Sequence, residues 1–179
     1  MMKRIPGIVL ASFLLLSCAL EPAIQGPVGS DRRAADLTLF DATYTFGMSG
    51  GGPLSVTAKV LAFHEEEQEA VLEDLVFIGY ESDGRPFFQG SARHAVIDTT
   101  TYDATLSESV SLRHLDEEIQ VFSDRLSWSD RHQRLSSPPH VASTVVIDEE
   151  ITLRGEGLTI DFTALAVTFE KVLEGRVSR

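Results

Sequence analysis

At 179 residues the chain is long enough to bury a substantial core, and 27 acidic against 15 basic side chains leave it a net charge of −12. A balance that acidic excludes nucleic acid as a general partner and excludes a polybasic hold on anionic lipid headgroups. A single cysteine, Cys18, rules out an intramolecular disulfide.

Lys3 and Arg4 precede an apolar run from Ile5 to Leu16 that contains Pro6 and Gly7. A spanning helix needs about 20 apolar residues, so this run is a secretory signal and stands outside fold reasoning. Leu15-Leu16-Ser17-Cys18 closes it, with a small residue directly before the cysteine and a leucine three positions upstream. That pattern resembles a bacterial lipobox, which implies cleavage of residues 1–17 and lipidation of Cys18 as the new N-terminus. Loss of Lys3 and Arg4 then takes the net charge to −14. Two or three acyl chains, at about 0.8 kcal/mol per buried CH₂, hold such a protein at a bilayer. Residues 18–36 carry Pro22, Gly26, Pro27, Gly29 and Ser30 and few large apolar residues, and read as a flexible tether with a typical span of about 23 Å. The expected organisation is signal peptide 1–17, lipidated tether 18–36 and a folded domain 37–179.

Within that domain, β-branched and aromatic residues alternate with polar ones over Leu37 to Phe46, Val56 to Phe63, Val71 to Tyr80, Pro86 to Asp98 and Ala104 to Leu115. The pattern continues over Ile119 to Ser129, Arg134 to Ile147, Ile151 to Asp161 and Val167 to Val177. These nine segments predict strands, with no helix. Glu65, Glu66, Glu67 and Glu69 favour helix locally, but their place between two strand patterns predicts a charged turn. Asp83-Gly84 is a hairpin signal. Pro138-Pro139 interrupts the seventh strand, where a central strand tolerates neither residue, and predicts a bend or bulge.

An internal repeat organises the strands. Leu61 and Phe63 before His64, Ala95 and Ile97 before Asp98, Leu126 and Trp128 before Asp130, and Leu158 and Ile160 before Asp161 are apolar pairs that each run into a polar turn. They recur every 31 to 34 residues. A second series of acidic turns, at Asp83-Gly84, Asp116-Glu117-Glu118 and Asp148-Glu149-Glu150, runs out of phase with them. Each repeat of about 32 residues thus holds two strands. Such a unit cannot bury its apolar face alone, so neighbours must stack into a long apolar interior.

Catalytic chemistry finds little footing. Carboxylates cluster in the turns, where Asp and Glu make turn hydrogen bonds, and no pair is singled out for one cleft. His64, His94, His114, His132 and His140 form no close ligand motif, and no serine sits in a Gly-x-Ser-x-Gly elbow. The glycines at 47, 50, 51 and 52 lack the Gly-Lys-Ser/Thr ending of a phosphate loop. The expectation is a protein with no enzymatic activity, no cofactor and no metal.

Pro86-Phe-Phe-Gln-Gly-Ser-Ala-Arg-His-Ala-Val-Ile-Asp98 after an Asp-Gly turn, Leu126-Ser-Trp-Ser-Asp130, Ser136-Ser-Pro-Pro-His-Val141 and Thr152-Leu-Arg-Gly-Glu-Gly-Leu158, closing on Val172 to Val177, together resemble the LptC family of periplasmic lipopolysaccharide-export proteins. The resemblance covers Leu37 to Val177, and LptA-type bridge proteins share the same repeat. It implies a single twisted, partly open β-jellyroll that receives lipopolysaccharide or a related glycolipid from an inner-membrane ABC transporter at its N-terminal edge. The lipid then passes to an LptA-like bridge protein at the C-terminal edge. Leu61, Phe63, Ala95, Ile97, Leu126, Trp128, Leu158 and Ile160 would line the lipid groove. Val167, Phe169 and Val172 of the final strand would meet the bridge protein. Gly155 and Gly157 match a glycine-containing family segment whose use is close backbone approach or a bulge. Family members commonly keep an uncleaved transmembrane helix, whose place the lipobox takes here, so the expected location is the periplasm, anchored to the inner membrane through Cys18. The alternatives are an LptA-like bridge subunit, an envelope lipoprotein whose β-structure serves protein contacts, and a hydrolase or lyase on a β-helix.

Overall fold

Among the residues described by the computed structural model, 34–47, 52–164 and 166–178, ten antiparallel strands form one sheet. They are β1 (Leu37–Phe46), β2 (Leu54–His64), β3 (Glu69–Tyr80), β4 (Pro86–Asp98), β5 (Ala104–His114), β6 (Ile119–Ser129), β7 (Arg134–Ser136), β8 (Ala142–Ile147), β9 (Ile151–Asp161) and β10 (Ala166–Val177). From β1 to β6 each strand pairs with the next in the chain, β7 and β8 each pair with β6 and β9 and not with each other, and β9 pairs with β10, which leaves β1 and β10 as the two edges. Cys18 and the rest of the expected signal and tether up to Arg33 lie outside the described residues.

The expected nine strands become ten because the seventh breaks in two. Proline has no N–H to donate, and after Ser136 the chain leaves the ladder at Pro138-Pro139, turning with the Val141 N–H on the Pro138 carbonyl at 3.0 Å. Both pieces lie end to end between β6 and β9. Ser137 fills the gap in the ladder: its N–H donates to the Leu158 carbonyl at 2.8 Å, and its Oγ accepts the Leu158 N–H at 2.9 Å.

The register lines up apolar residues from strand to strand. Leu37 faces Phe63, which faces Ala70, then Ile97, Ala104, Trp128, Leu135, Ile160 and Val167. One step along, Leu39 faces Leu61, then Leu72, Ala95, Leu106 and Leu126, and the row resumes from Leu158 to Phe169. Nearer the other end of the strands, Tyr44 begins a third row through Val56, Phe77, Gly90, Leu112, Val121, Val145 and Leu153.

Between these two sets of rows a crease runs across the sheet. Strict alternation would keep one parity facing inward along a whole strand. Instead β3 turns in Ala70 and Leu72 but then Leu75 and Phe77, and β6 turns in Val121 and Ser123 but then Leu126. In β1, β3 and β6 the phase slips where two neighbouring residues both point outward, at Phe40-Asp41, Glu73-Asp74 and Asp124-Arg125, whereas in β5 the outward pair Glu108-Ser109 follows the inward pair Leu106-Ser107 and the parity is kept. Asp41, Asp74, Glu108, Ser109 and Gly157 adopt positive φ there, between 47° and 64°, a region that Asp and Gly enter at lower cost than most residues. In β5 the extra residue is a bulge, with Ser107 facing Arg125 but Val110 facing Ser123. On the outer side Lys59 and Asp74 bridge the crease with a 3.0 Å ion pair.

The crease folds the sheet so that its two halves face each other. Phe63 and Tyr44 sit seven paired residues apart along β1 and β2, about 23 Å on a flat sheet, yet their rings are 5.4 Å apart. The core of buried Leu, Val, Ile, Ala and Phe side chains lies between the halves.

Candidate functional site

Between the half-sheets lies a partly open cavity of about 160 Å³. One wall is Ala95, Ile97, Ala104, Leu106, Trp128 and Leu135, from the rows before the turns. The facing wall is Phe46, Val56, Phe77, Phe88, Leu112 and His114, from the far side of the crease. Apolar cavities of about 150 Å³ stay dry and accept a guest as large as benzene. The space therefore suits a short length of alkyl chain.

Aromatic rings close it. Phe162, in the turn after β9, meets Trp128 edge-on at 5.8 Å and stacks on His114 at 6.5 Å. His114 touches Phe87 at 6.0 Å, Phe87 touches Phe88 at 4.6 Å, and Phe88 touches Phe77 at 6.1 Å. Glycines make room for this packing: an added Cβ at Gly90 would meet the Phe77 ring and the Ser111 carbonyl.

One lip of the cavity is polar and is built from three turns. Tyr102 comes from the turn between β4 and β5, Asp130 and Gln133 from that between β6 and β7, and Phe162 from that between β9 and β10. The turns are tied together: the Asp130 N–H donates to Asp103 Oδ1 at 2.8 Å, Gln133 Nε2 to the Asp130 carbonyl at 2.7 Å, and the Phe162 N–H to the Gln133 carbonyl at 3.0 Å. Asp130 is 3% exposed.

The repeat places Asp98, Asp130 and Asp161 at matching turns, where they behave differently. Asp98 Oδ1 accepts the N–H groups of Thr100 and Thr101 at 2.8 and 2.7 Å. Asp161 Oδ1 accepts those of Thr163 and Ala164 at 3.0 and 2.9 Å, and its Oδ2 takes Arg134 at 2.9 Å. Both carboxyls are held below their ordinary 3.8, Asp98 chiefly by the Thr101 and then the Thr100 N–H, Asp161 chiefly by Arg134 and then the Ala164 N–H.

Of the residues singled out in the sequence, Ala95, Ile97 and Trp128 line the cavity. Leu61, Leu126 and Leu158 stand in the adjoining row and are wholly buried in packed core, as is Ile160 against Leu135. Phe63 packs on Tyr44 at the β1 end. Val167 and Phe169 extend the two rows half-buried onto β10, whereas Val172 is 63% exposed on the edge. Gly155 sits under Phe169, where a Cβ would fall 2.5 Å from the ring and 2.7 Å from the Lys171 carbonyl, and Gly157 takes φ +63° at the crease. The wall formed by Phe46, Phe77, Phe88 and Leu112, and the closing ring of Phe162, escaped the sequence reading. For Phe77 the signal was the polar doublet Glu73-Asp74, which shifts the alternation by one residue. Among the described residues no three His, Cys, Asp or Glu side chains converge on a common point, and no helix is long and apolar enough to cross a membrane.

No protein-family model matches the sequence, and no curated protein does either. Among solved structures, the chain superposes on LptH of Pseudomonas aeruginosa, described as the LptA-homologous periplasmic component of the conserved lipopolysaccharide transport device. The TM-score is 0.56 at 12% identity, over 67% of this chain and 83% of that one. The two share the all-β fold.

Proposed function

We propose that the chain is a periplasmic lipid-transfer component of a lipopolysaccharide or related glycolipid export system, acting without catalysis. The observation that carries this reading is an apolar interior, walled by both halves of a creased sheet, in a fold shared with a lipopolysaccharide transport component. Acyl chains moving between such interiors keep the burial they had in the bilayer, about 25 cal/mol per Å² of apolar surface, so each hand-over is nearly level. Direction then has to come from outside the protein, from ATP hydrolysis by an inner-membrane ABC transporter.

In the LptC-like form of this reading Cys18 carries the lipid anchor, β1 faces the transporter and β10 hands lipid to an LptA-like bridge protein. Both edge strands expose apolar side chains, Leu37, Phe40 and Tyr44 on β1 and Val172, Leu173 and Val177 on β10, and an unpaired edge invites strand addition. An LptA-like bridge role is the second reading, favoured by the likeness to an LptA homologue. A glycolipid with several chains needs more than 160 Å³, so loading requires the half-sheets to part, and the contact that must open is Phe162 on His114.

The test is photo-crosslinking in cells from inward positions on both walls, Ile97, Trp128, Phe77 and Leu112, against the outward neighbours Val76 and Ser127. ATP-dependent capture of glycolipid by the inward set alone is the expected result. Equal labelling of both sets would remove the case for an interior path.

A further inference from the structure

We propose that the polar lip is a head-group subsite, in which the Asp130 carboxylate accepts a hydrogen bond from an uncharged donor, a hydroxyl or amide N–H, on the lipid whose chain fills the cavity. This rests on reading the interior as a lipid site. Three observations converge on it. Asp130 is nine-tenths buried and lines a mainly apolar cavity. Asp98 and Asp161, its counterparts in the repeat, use their carboxylates to cap their own turns. Asp130 does not: among the described residues its one side-chain donor is Gln133 Nε2, at a long 3.4 Å to Oδ1.

Oδ2 is left without a donor among them. Among the described residues no side-chain N or O atom fully shut away from solvent lacks a partner, so Oδ2 keeps accessible surface, and an ionised carboxylate can only accept. A buried acceptor with spare capacity favours a ligand donor and disfavours an anion. Phosphates on a bound glycolipid therefore lie away from this lip, and the group beside Asp130 is an amide or hydroxyl near the root of an acyl chain.

The experiment uses the full chain with Cys18→Ser, so that no attached acyl chain competes, and follows displacement of the fluorophore N-phenyl-1-naphthylamine. The competitors share a twelve-carbon tail: N-dodecylacetamide, its N-methylated analogue without an N–H, and dodecyl phosphate. The secondary amide should displace the fluorophore at a concentration about tenfold lower than the tertiary amide, and dodecyl phosphate should be the weakest. Asp130→Asn, which keeps the shape and removes the charge, should bring dodecyl phosphate to within about threefold of the secondary amide. Equal displacement by the two amides in the unsubstituted lip, or an unchanged phosphate ratio in D130N, would overturn the subsite and leave the lipid interior standing. Failure of the fluorophore to bind, or of every amphiphile to displace it, would overturn both. Should D130N not fold by circular dichroism, the matched amide pair still decides.

Discussion

The ring of Phe162 lies 20° from the plane of the His114 imidazole, with centroids 6.5 Å apart, and meets Trp128 edge-on at 5.8 Å. Trp128 faces Ala104 at the start of β5, while His114 ends that strand. An 11-residue strand drawn straight would hold its ends about 33 Å apart. One side chain spans both because the crease has brought them together, so the turn carrying Phe162 is the clasp of the fold. Phe162→Ala should lower stability by about 1–3 kcal/mol, from two aromatic pairs and their burial. Urea unfolding measures this. The same variant should load apolar fluorophore faster in stopped flow, and unchanged kinetics would show that lipid does not enter past this ring.

Gly155 is fixed by what lies above it. An added methyl would meet the Phe169 ring and the Lys171 carbonyl, and the backbone carbonyl cannot swing aside. Gly155→Ala should cost about 1–3 kcal/mol by overpacking. Gly175→Ala should be the milder change, since its nearest neighbour would be the Leu153 side chain at 3.5 Å. Equilibrium unfolding of the two variants side by side tests the ranking.

Acid should loosen the turns. The folded carboxyls of Asp98 and Asp161 bind protons less readily than their ordinary 3.8 implies. Their contribution is therefore fully present above that value and is lost as the pH falls below it through the folded pKa. The urea midpoint should fall as the pH is lowered below about 4, and Asp98→Asn with Asp161→Asn should flatten that part of the curve. An equally steep curve in the double variant would place the acid sensitivity elsewhere.

On the β10 edge, register slips between Val172 and Glu174, and a bulge of that kind protects an edge from pairing. In the LptC-like form of the proposed function, the stretch before it, Ala166 to Val172, is the surface offered to the bridge protein. Val172→Lys should weaken capture of an LptA-like bridge protein about tenfold or more while leaving thermal stability within roughly 0.5 kcal/mol, as exposed sites usually do. Crosslinks that map the bridge protein only to β1 would reverse the proposed polarity.

Cys18→Ser should abolish lipid attachment and release the protein from the membrane fraction. Mass spectrometry of the N-terminal peptide measures it directly, and an unmodified N-terminus at another position in the unsubstituted protein would end the lipobox reading.

Strand positions, turn positions and the repeat were legible because each depends on neighbours within a few residues. Alternation marks a strand, Asp-Gly marks a turn, and Pro138-Pro139 removes ladder donors wherever it falls. Even the pairing of Phe63 with Ala70 and of Ile97 with Ala104 follows from short antiparallel connections, which leave one register open.

The site was half legible, for a reason that lies in the crease. Counting apolar pairs back from each turn finds Ala95, Ile97 and Trp128 but stops at the polar doublet, beyond which Phe77 and Phe88 face inward on the opposite parity. A doublet such as Glu73-Asp74 shows in the sequence as a slip of phase, but not the angle to which it folds the sheet. That angle is set by the packing of one half against the other. Only the folded chain decided that Phe162 would lie on His114, 48 residues away in sequence, and that Asp130 alone among three equivalent aspartates would face a cavity instead of its own turn. Side-chain contacts across a closed sheet depend on the summed twist of many strands, and no local window contains that sum.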